Sequence, residues 1–171
     1  MATTFVKIAT VTVGAGGAAN MEFTSIPSTY TDLVLKLSGR DGASAVFHNI
    51  QTTFNNSATS YSSRDVYGNG SATGSEVGAT TWLQGMYANG ATATASTFSN
   101  SEMYIPNYAG STNKSVSIDA VVENNATSAL DILWAGLWSN TAAITSIKLT
   151  PADSASFVQY STATLYGISK S

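Results

Sequence analysis

Apolar side chains along this chain recur at every second position far more often than at every third or fourth. Leu33, Leu35 and Leu37 alternate with Val34 and Lys36, and Val116, Ile118, Ala120 and Val122 alternate with Ser117, Asp119 and Val121. Successive side chains of a strand point to opposite sides, so each of these runs makes a strand with one buried face. "AVFHNIQTTF" alternates too, with Val46, His48, Ile50 and Phe54 on one parity and Phe47 on the other. "SRDVYG", "TWLQGMY", "TFSNSEMYI", "AAITSIKLT" and "FVQYSTATLYGI" are further strand-like runs, and no segment sustains a helical period.

Two runs depart from simple alternation. In "FVKIATVTV", Val6 and Ile8 have one parity and Val11 and Val13 the other, so an uninterrupted strand would send half of its apolar groups to water. A bulge near Ala9 or Thr10, or a switch between sheets, resolves the conflict. "ALDILWAGLW" is apolar at both parities, the pattern of a central strand buried on both faces. Small and polar residues separate the runs, with Asn-Asn in both "FNNSATS" and "ENNATSA", where two turns of similar chemistry explain the likeness. About nine or ten strands, punctuated every 8 to 12 residues or so, predict an all-β antiparallel sandwich of one domain over residues 1–171. A jelly roll is the first choice and an immunoglobulin-like sandwich the second.

Composition sharpens this picture. Charged residues are 10% of the chain and the net charge is -3, whereas an ordinary soluble domain is about 25% charged. No basic cluster exists to neutralise a row of phosphates, which argues against nucleic acid as a partner. Weak net charge gives little mutual repulsion and suits a subunit packed against copies of itself. There is no cysteine, so stability rests on packing. The N-terminal stretch has no basic region ahead of its apolar residues and carries Lys7 inside them, so it reads as a strand and not a secretory signal. The most apolar run is about half the length that spans a bilayer, and no membrane partner is expected.

Candidate chemistry is sparse. His48 is the single histidine, and its place in a strand reads as a structural ring held by a hydrogen bond. One histidine without cysteine does not build a common zinc site, and the ten acids are scattered singly. Asp41 after Arg40, and Glu123 before Asn124 and Asn125, are the loop acids best placed for an ion, yet neither belongs to a calcium-loop pattern. "GAGGAA" lacks the strand, helix and later acid of a dinucleotide site. These observations give no catalytic residue, no cofactor and no metal. Trp134 and Trp138 share parity in the most apolar run and are assigned to the core. Trp82, Tyr87, Tyr61 and Tyr67 flank small-residue loops and are freer to reach a partner.

In "TSIPSTYTDLVLKLSGR", Pro27 biases Ile26 toward extended geometry, Ser28 to Thr31 make a turn, and Asp32 is expected to bond turn amides before the leucines enter the core. Arg40 and Asp41 close that strand and are candidate subunit contacts. Together with "MYIPNYAGSTNKSVSIDAVVENNAT" and "AGLWSNTAAITSIKLTP", and above all with the closing "STATLYGI", the stretch resembles a family of small virion proteins of tailed phages, nearly end to end from Phe5 to Ile168. The resemblance implies a multimeric β-sandwich on a phage particle, as a capsid decoration, head appendage or tail-fibre component, with no catalytic residues. The expected function is a non-enzymatic virion structural protein that assembles as a homotrimer with other virion proteins. The alternative is a tail-fibre tip that binds a host surface glycan through Trp82, Tyr87 and neighbouring loops. A depolymerase is a third reading, and it requires two acids facing each other across a groove.

Overall fold

The computed structural model describes residues 4–125 and 128–169; residues 126 and 127 of the second Asn-Asn stretch lie outside them. Twelve strands follow one another: β1 (Phe5–Thr12), β2 (Met21–Phe23), β3 (Asp32–Ser38), β4 (Phe47–Phe54), β5 (Tyr61–Gly68), β6 (Thr73–Gly74), β7 (Leu83–Asn89), β8 (Asn100–Ile105), β9 (Lys114–Val122), β10 (Leu130–Trp138), β11 (Ile147–Pro151) and β12 (Thr162–Ile168). All the strand pairs are antiparallel. Each of the ten expected runs holds a strand. The two that the pattern misses, β2 and β6, span three and two residues, too short for alternation to register.

The strands form an eight-stranded sheet in the order β1-β12-β3-β8-β9-β10-β5-β6 and a four-stranded sheet in the order β2-β11-β4-β7. Taken alone, β1-β12-β3-β8 facing β2-β11-β4-β7 is the eight-strand jelly-roll winding. The remaining strands are insertions: β5 and β6 between β4 and β7, and β9 and β10 between β8 and β11. Both extend the larger sheet beyond β8. Between the sheets lies one core, which includes Leu33, Leu35, Ile50, Phe54, Met103, Ile118, Trp134, Trp138, Ile147 and Leu165.

The parity conflict in β1 is resolved by a bulge. Its register against β12 shifts between Lys7 and Ala9, so that Val6 and Val11 both lie on the core side while Phe5, Lys7, Thr10 and Thr12 are exposed. A second correction concerns β10. Leu130, Ile132, Trp134 and Trp138 are buried, but Leu133 is 54% exposed, so β10 has one buried face only. The strand buried on both sides is β7, where every residue except Gln84 is buried. The inserted strands curl around it closely enough that a Cβ on Gly85 would stand 2.7 Å from Ile118 Cδ1 and 3.0 Å from Trp134 Cγ. Gly85 also has φ of +141°, a conformation open to glycine alone.

Candidate functional site

Arg40 and Asp41 sit where β3 ends, and both are internal fasteners. The Arg40 guanidinium donates from Nη1 to the carbonyls of Thr94 at 2.9 Å and Thr97 at 3.0 Å, and from Nη2 to that of Ala93 at 3.1 Å. The loop after β7 is thereby wrapped around one cation. Asp41 is fully buried. Its Oδ1 accepts the Ala43 amide at 3.0 Å, and its Oδ2 accepts the Nδ1 proton of His48 at 2.7 Å. A side chain without exposure cannot touch another subunit, so the contact role expected for Asp41 is corrected to an internal one.

His48 is the bonded ring that its strand position predicts. Its far nitrogen faces a long 3.5 Å contact with Asp153, which is 93% exposed. In a Ser-His-Asp triad a hydroxyl nucleophile takes this place; here a carboxylate does. Among the described residues no group of three or more His, Cys, Asp or Glu side chains is arranged to hold a metal. Glu123 accepts the Asn125 amide at 2.6 Å, so this acid completes a turn. In both Asn-Asn stretches asparagine supplies positive φ, at Asn55, Asn56 and Asn125. Asp32 does cap backbone, but across the sheet: it takes the Asn107 amide at 2.8 Å and the Tyr104 hydroxyl at 2.9 Å.

The aromatic residues separate differently from the expectation. Tyr61 is buried, stacked on Trp138 at 6.2 Å, with its hydroxyl accepting the Phe54 amide at 2.8 Å. Tyr87 is 4% exposed, edge-on to Phe47 at 6.1 Å. Neither ring is free on the surface, whereas Trp82 and Tyr67 are half-buried. Burial pushes the Tyr87 hydroxyl up to about 12; Gln84 hydrogen-bonds against that rise, and the charges of Glu76 and Asp65 add to it.

Tyr87 and Tyr67, but not Tyr61 or Trp82, meet at a cleft of about 350 Å³ where β4 and β7 diverge from the inserted strands, and His48 of β4 lines it as well. Phe47 and Asn49 come from β4, Tyr87 from β7, Tyr67 from β5, and Asn69 and Glu76 from the segment around β6. Register explains the grouping, since Asn49 lies opposite Tyr87 in the β4–β7 pair. Of the lining residues, the loop-flanking aromatic pattern points to Tyr87 and Tyr67 but not to Phe47, Asn49, Asn69 or Glu76. The signal available was weak, consisting of an aromatic and an amide two residues apart on the parity of β4 opposite to Ile50.

A second surface feature is the outer face of the larger sheet. Val66 on β5 lies directly opposite Leu133 on β10, and they are 59% and 54% exposed. Val77, opposite Arg64 at the sheet margin, and Val121 on β9 are exposed as well. Hydroxyl residues and the single charges Arg64, Asp119 and Asp131 surround them. No family model, no curated protein and no solved structure matches the chain.

Proposed function

We propose that this chain is a non-enzymatic structural subunit of a tailed-phage particle, displayed on the particle surface as a homotrimer held by contacts with its own copies and with neighbouring virion proteins. The observation that carries the reading is the exposed pair Val66 and Leu133 on the outer face of the extended sheet, with exposed Val77 and Val121 in the flanking rows. A face of this kind, with few charges around it, is what a neighbouring subunit covers. The jelly-roll winding is one used by capsid domains, and the resemblance of "STATLYGI" and the stretches before it points the same way.

Magnitudes favour several neighbours over one. Completing the burial of four half-exposed aliphatic side chains contributes about 3 to 6 kcal/mol. Bringing two proteins together costs about 4 to 15 kcal/mol. One such patch is therefore marginal alone and effective in a closed ring or on a scaffold, where each contact after the first is intramolecular.

The test is a Leu133→Lys, Val66→Glu double variant. Both side chains already face water, and the new lysine stands between the new glutamate and Asp119, so the cross-strand pairs stay favourable and the fold is retained, while native mass spectrometry is expected to lose the oligomer and particles to lose the subunit. Because the face is apolar, raising salt from about 0.1 to 1 M, which shortens the Debye length from about 10 to 3 Å, is expected to leave assembly unchanged. A wild-type chain that stays monomeric and never joins particles, or one that moderate salt strips off, would overturn the proposal.

A further inference from the structure

We infer that the cleft between β4–β7 and the inserted strands is a binding site for an uncharged pyranose, a neutral hexose or N-acetylhexosamine unit. This inference does not rest on the assembly role, because it uses the inner sides of β5 and β10 and not their outer face.

Ring chemistry comes first. Phe47, Tyr67 and Tyr87 bring three aromatic rings to one cavity of about 350 Å³, which lies at the small end of the roughly 300 to 1,000 Å³ typical of ligand sites. The half-buried Phe47 and Tyr67 are the rings on which the C–H faces of a pyranose can lie, Tyr87 being only 4% exposed, and the sugar's hydroxyl edge needs polar partners at the rim. Asn49, Asn69 and Glu76 supply them.

The polar groups also specify what the ligand carries. Asn49 Oδ1 is shut away from water and accepts no hydrogen bond. Turning this amide toward a ligand therefore gives up no existing oxygen contact, and its last torsion is soft. Behind the cleft, Asp65 spends one oxygen on the Glu76 amide, while its other oxygen is buried without a partner. Asp65 lies outside the lining and takes no ligand contact; the free acceptor that belongs to the lining is Asn49 Oδ1, beside the Glu76 carboxylate, so the fitting ligand is rich in donors. Hydroxyl groups satisfy that, and a quaternary ammonium does not.

Charge narrows the class further. Glu76 contributes a carboxylate to the lining, no Lys or Arg does, and the His48 ring that also lines it is tied through Nδ1 to the buried Asp41 carboxylate, so phosphorylated, sulfated and sialylated sugars meet no free cation and are repelled by Glu76. With its high pKa, the Tyr87 hydroxyl stays a neutral donor throughout the physiological range. Only Glu76 among the acids lines the cavity, and Asp65 is turned to that residue's own amide. Recognition, not hydrolysis by a facing pair of acids, is the chemistry such a lining serves.

Gly74 holds the arrangement open. A Cβ there would lie within 2.7 Å of the Tyr67 hydroxyl oxygen and 2.8 Å of its ring carbon. Gly74→Ala would thus move the Tyr67 ring without touching the ligand itself, which makes Gly74 a positioning residue.

The experiment is a titration of the full chain with methyl glycosides of neutral hexoses and N-acetylhexosamines, followed by ligand-observed NMR and calorimetry, with sialyl and sulfated oligosaccharides in a parallel arm. Saturable binding in the neutral arm is expected. Tyr67→Ala should weaken it about three- to tenfold, the loss of one ring contact. Gly74→Ala should weaken it too, and Trp82→Ala, outside the cleft, should leave it unchanged. Should Tyr67→Ala fail to fold, Asn69→Ala and Glu76→Gln read the same site from its rim. Binding confined to the anionic arm, absence of binding at millimolar neutral sugar, or affinity that none of the cleft variants moves would overturn the inference.

Discussion

Replacing Arg40 by alanine separates an internal fastener from a surface contact. Its guanidinium holds three main-chain carbonyls at 2.9, 3.0 and 3.1 Å, and a fourth, that of Ala91, at 3.5 Å. Hydrogen bonds to a charged donor contribute about 1.5 to 3 kcal/mol each when buried. Several of these acceptors reach solvent, so water recovers part of the loss and the net cost is about 3 kcal/mol. For a domain of this size that corresponds to a melting temperature lower by roughly 6 to 12 °C. Arg40→Lys should recover less than half, because a single ammonium cannot match a planar fork that spans four carbonyls. Hydrogen exchange should locate the damage in residues 90–99, and calorimetry should give its size. An Arg40→Ala protein that melts within about 1 °C of wild type, with exchange in that loop unchanged, would exclude Arg40 as the fastener of this loop. Loss of assembly under the same circumstance would return Arg40 to the surface role.

Other outcomes follow from single residues. Gly85→Ala forces φ of +141° on a residue with a Cβ and drives that atom toward Ile118 and Trp134; a loss of about 2 to 4 kcal/mol is expected in urea unfolding, and a stability equal to wild type would contradict the double burial of β7. Asp41→Asn and His48→Gln should each destabilise, with a coupling of about 1 to 3 kcal/mol in a double-mutant cycle; additive effects would dissolve the pair. The Tyr87 hydroxyl has its folded pKa raised from 10.0 to about 12, so its contribution is present in full below pH 10 and is lost as pH climbs through about 12. Relative to Tyr87→Phe, the wild type should therefore lose about 2 to 3 kcal/mol over that window, and parallel pH profiles for the two proteins would count against it.

Strand positions were legible in the sequence because alternation is local, and the bulge in β1 was legible because Val6 and Val11 cannot otherwise share a face. What alternation could not convey was which strand is covered twice. Leu133 and Leu137 make β10 look doubly buried, yet the second sheet has four strands against eight and lies on one side only. Gly85 and Gln84 interrupt the apolar pattern of β7, although the inserted strands fold back over it. That distinction depends on pairings between residues as far apart along the chain as Gly68 and Asp131, or Tyr61 and Trp138, which no window of sequence contains. Asp41 misled for a related reason. An acid next to an arginine at a strand end reads as solvent-facing, and its burial depends on His48 arriving from the next strand. The lone histidine on the core parity of β4 was the available hint, since a ring placed there requires an acceptor.

Both surfaces assigned here come from strands that the jelly-roll winding does not itself require. On β5, Val66 faces outward between Asp65 and Tyr67, which face inward; on β10, Leu133 faces outward between Ile132 and Trp134. A neighbour on the outer face and a sugar in the cleft would thus touch alternate residues of the same two strands without obstructing each other. These strands are not a detachable ornament, because Trp134 and Trp138 are 2% and 1% exposed within the common core. The two surfaces are expected to act independently: Leu133→Lys should abolish assembly with sugar affinity unchanged, and Tyr67→Ala should weaken sugar binding with assembly unchanged. An effect of either variant on the other property would mean that β5 and β10 shift as a pair when one face is occupied, and the inserted strands would then be a mechanical link in place of two separate platforms.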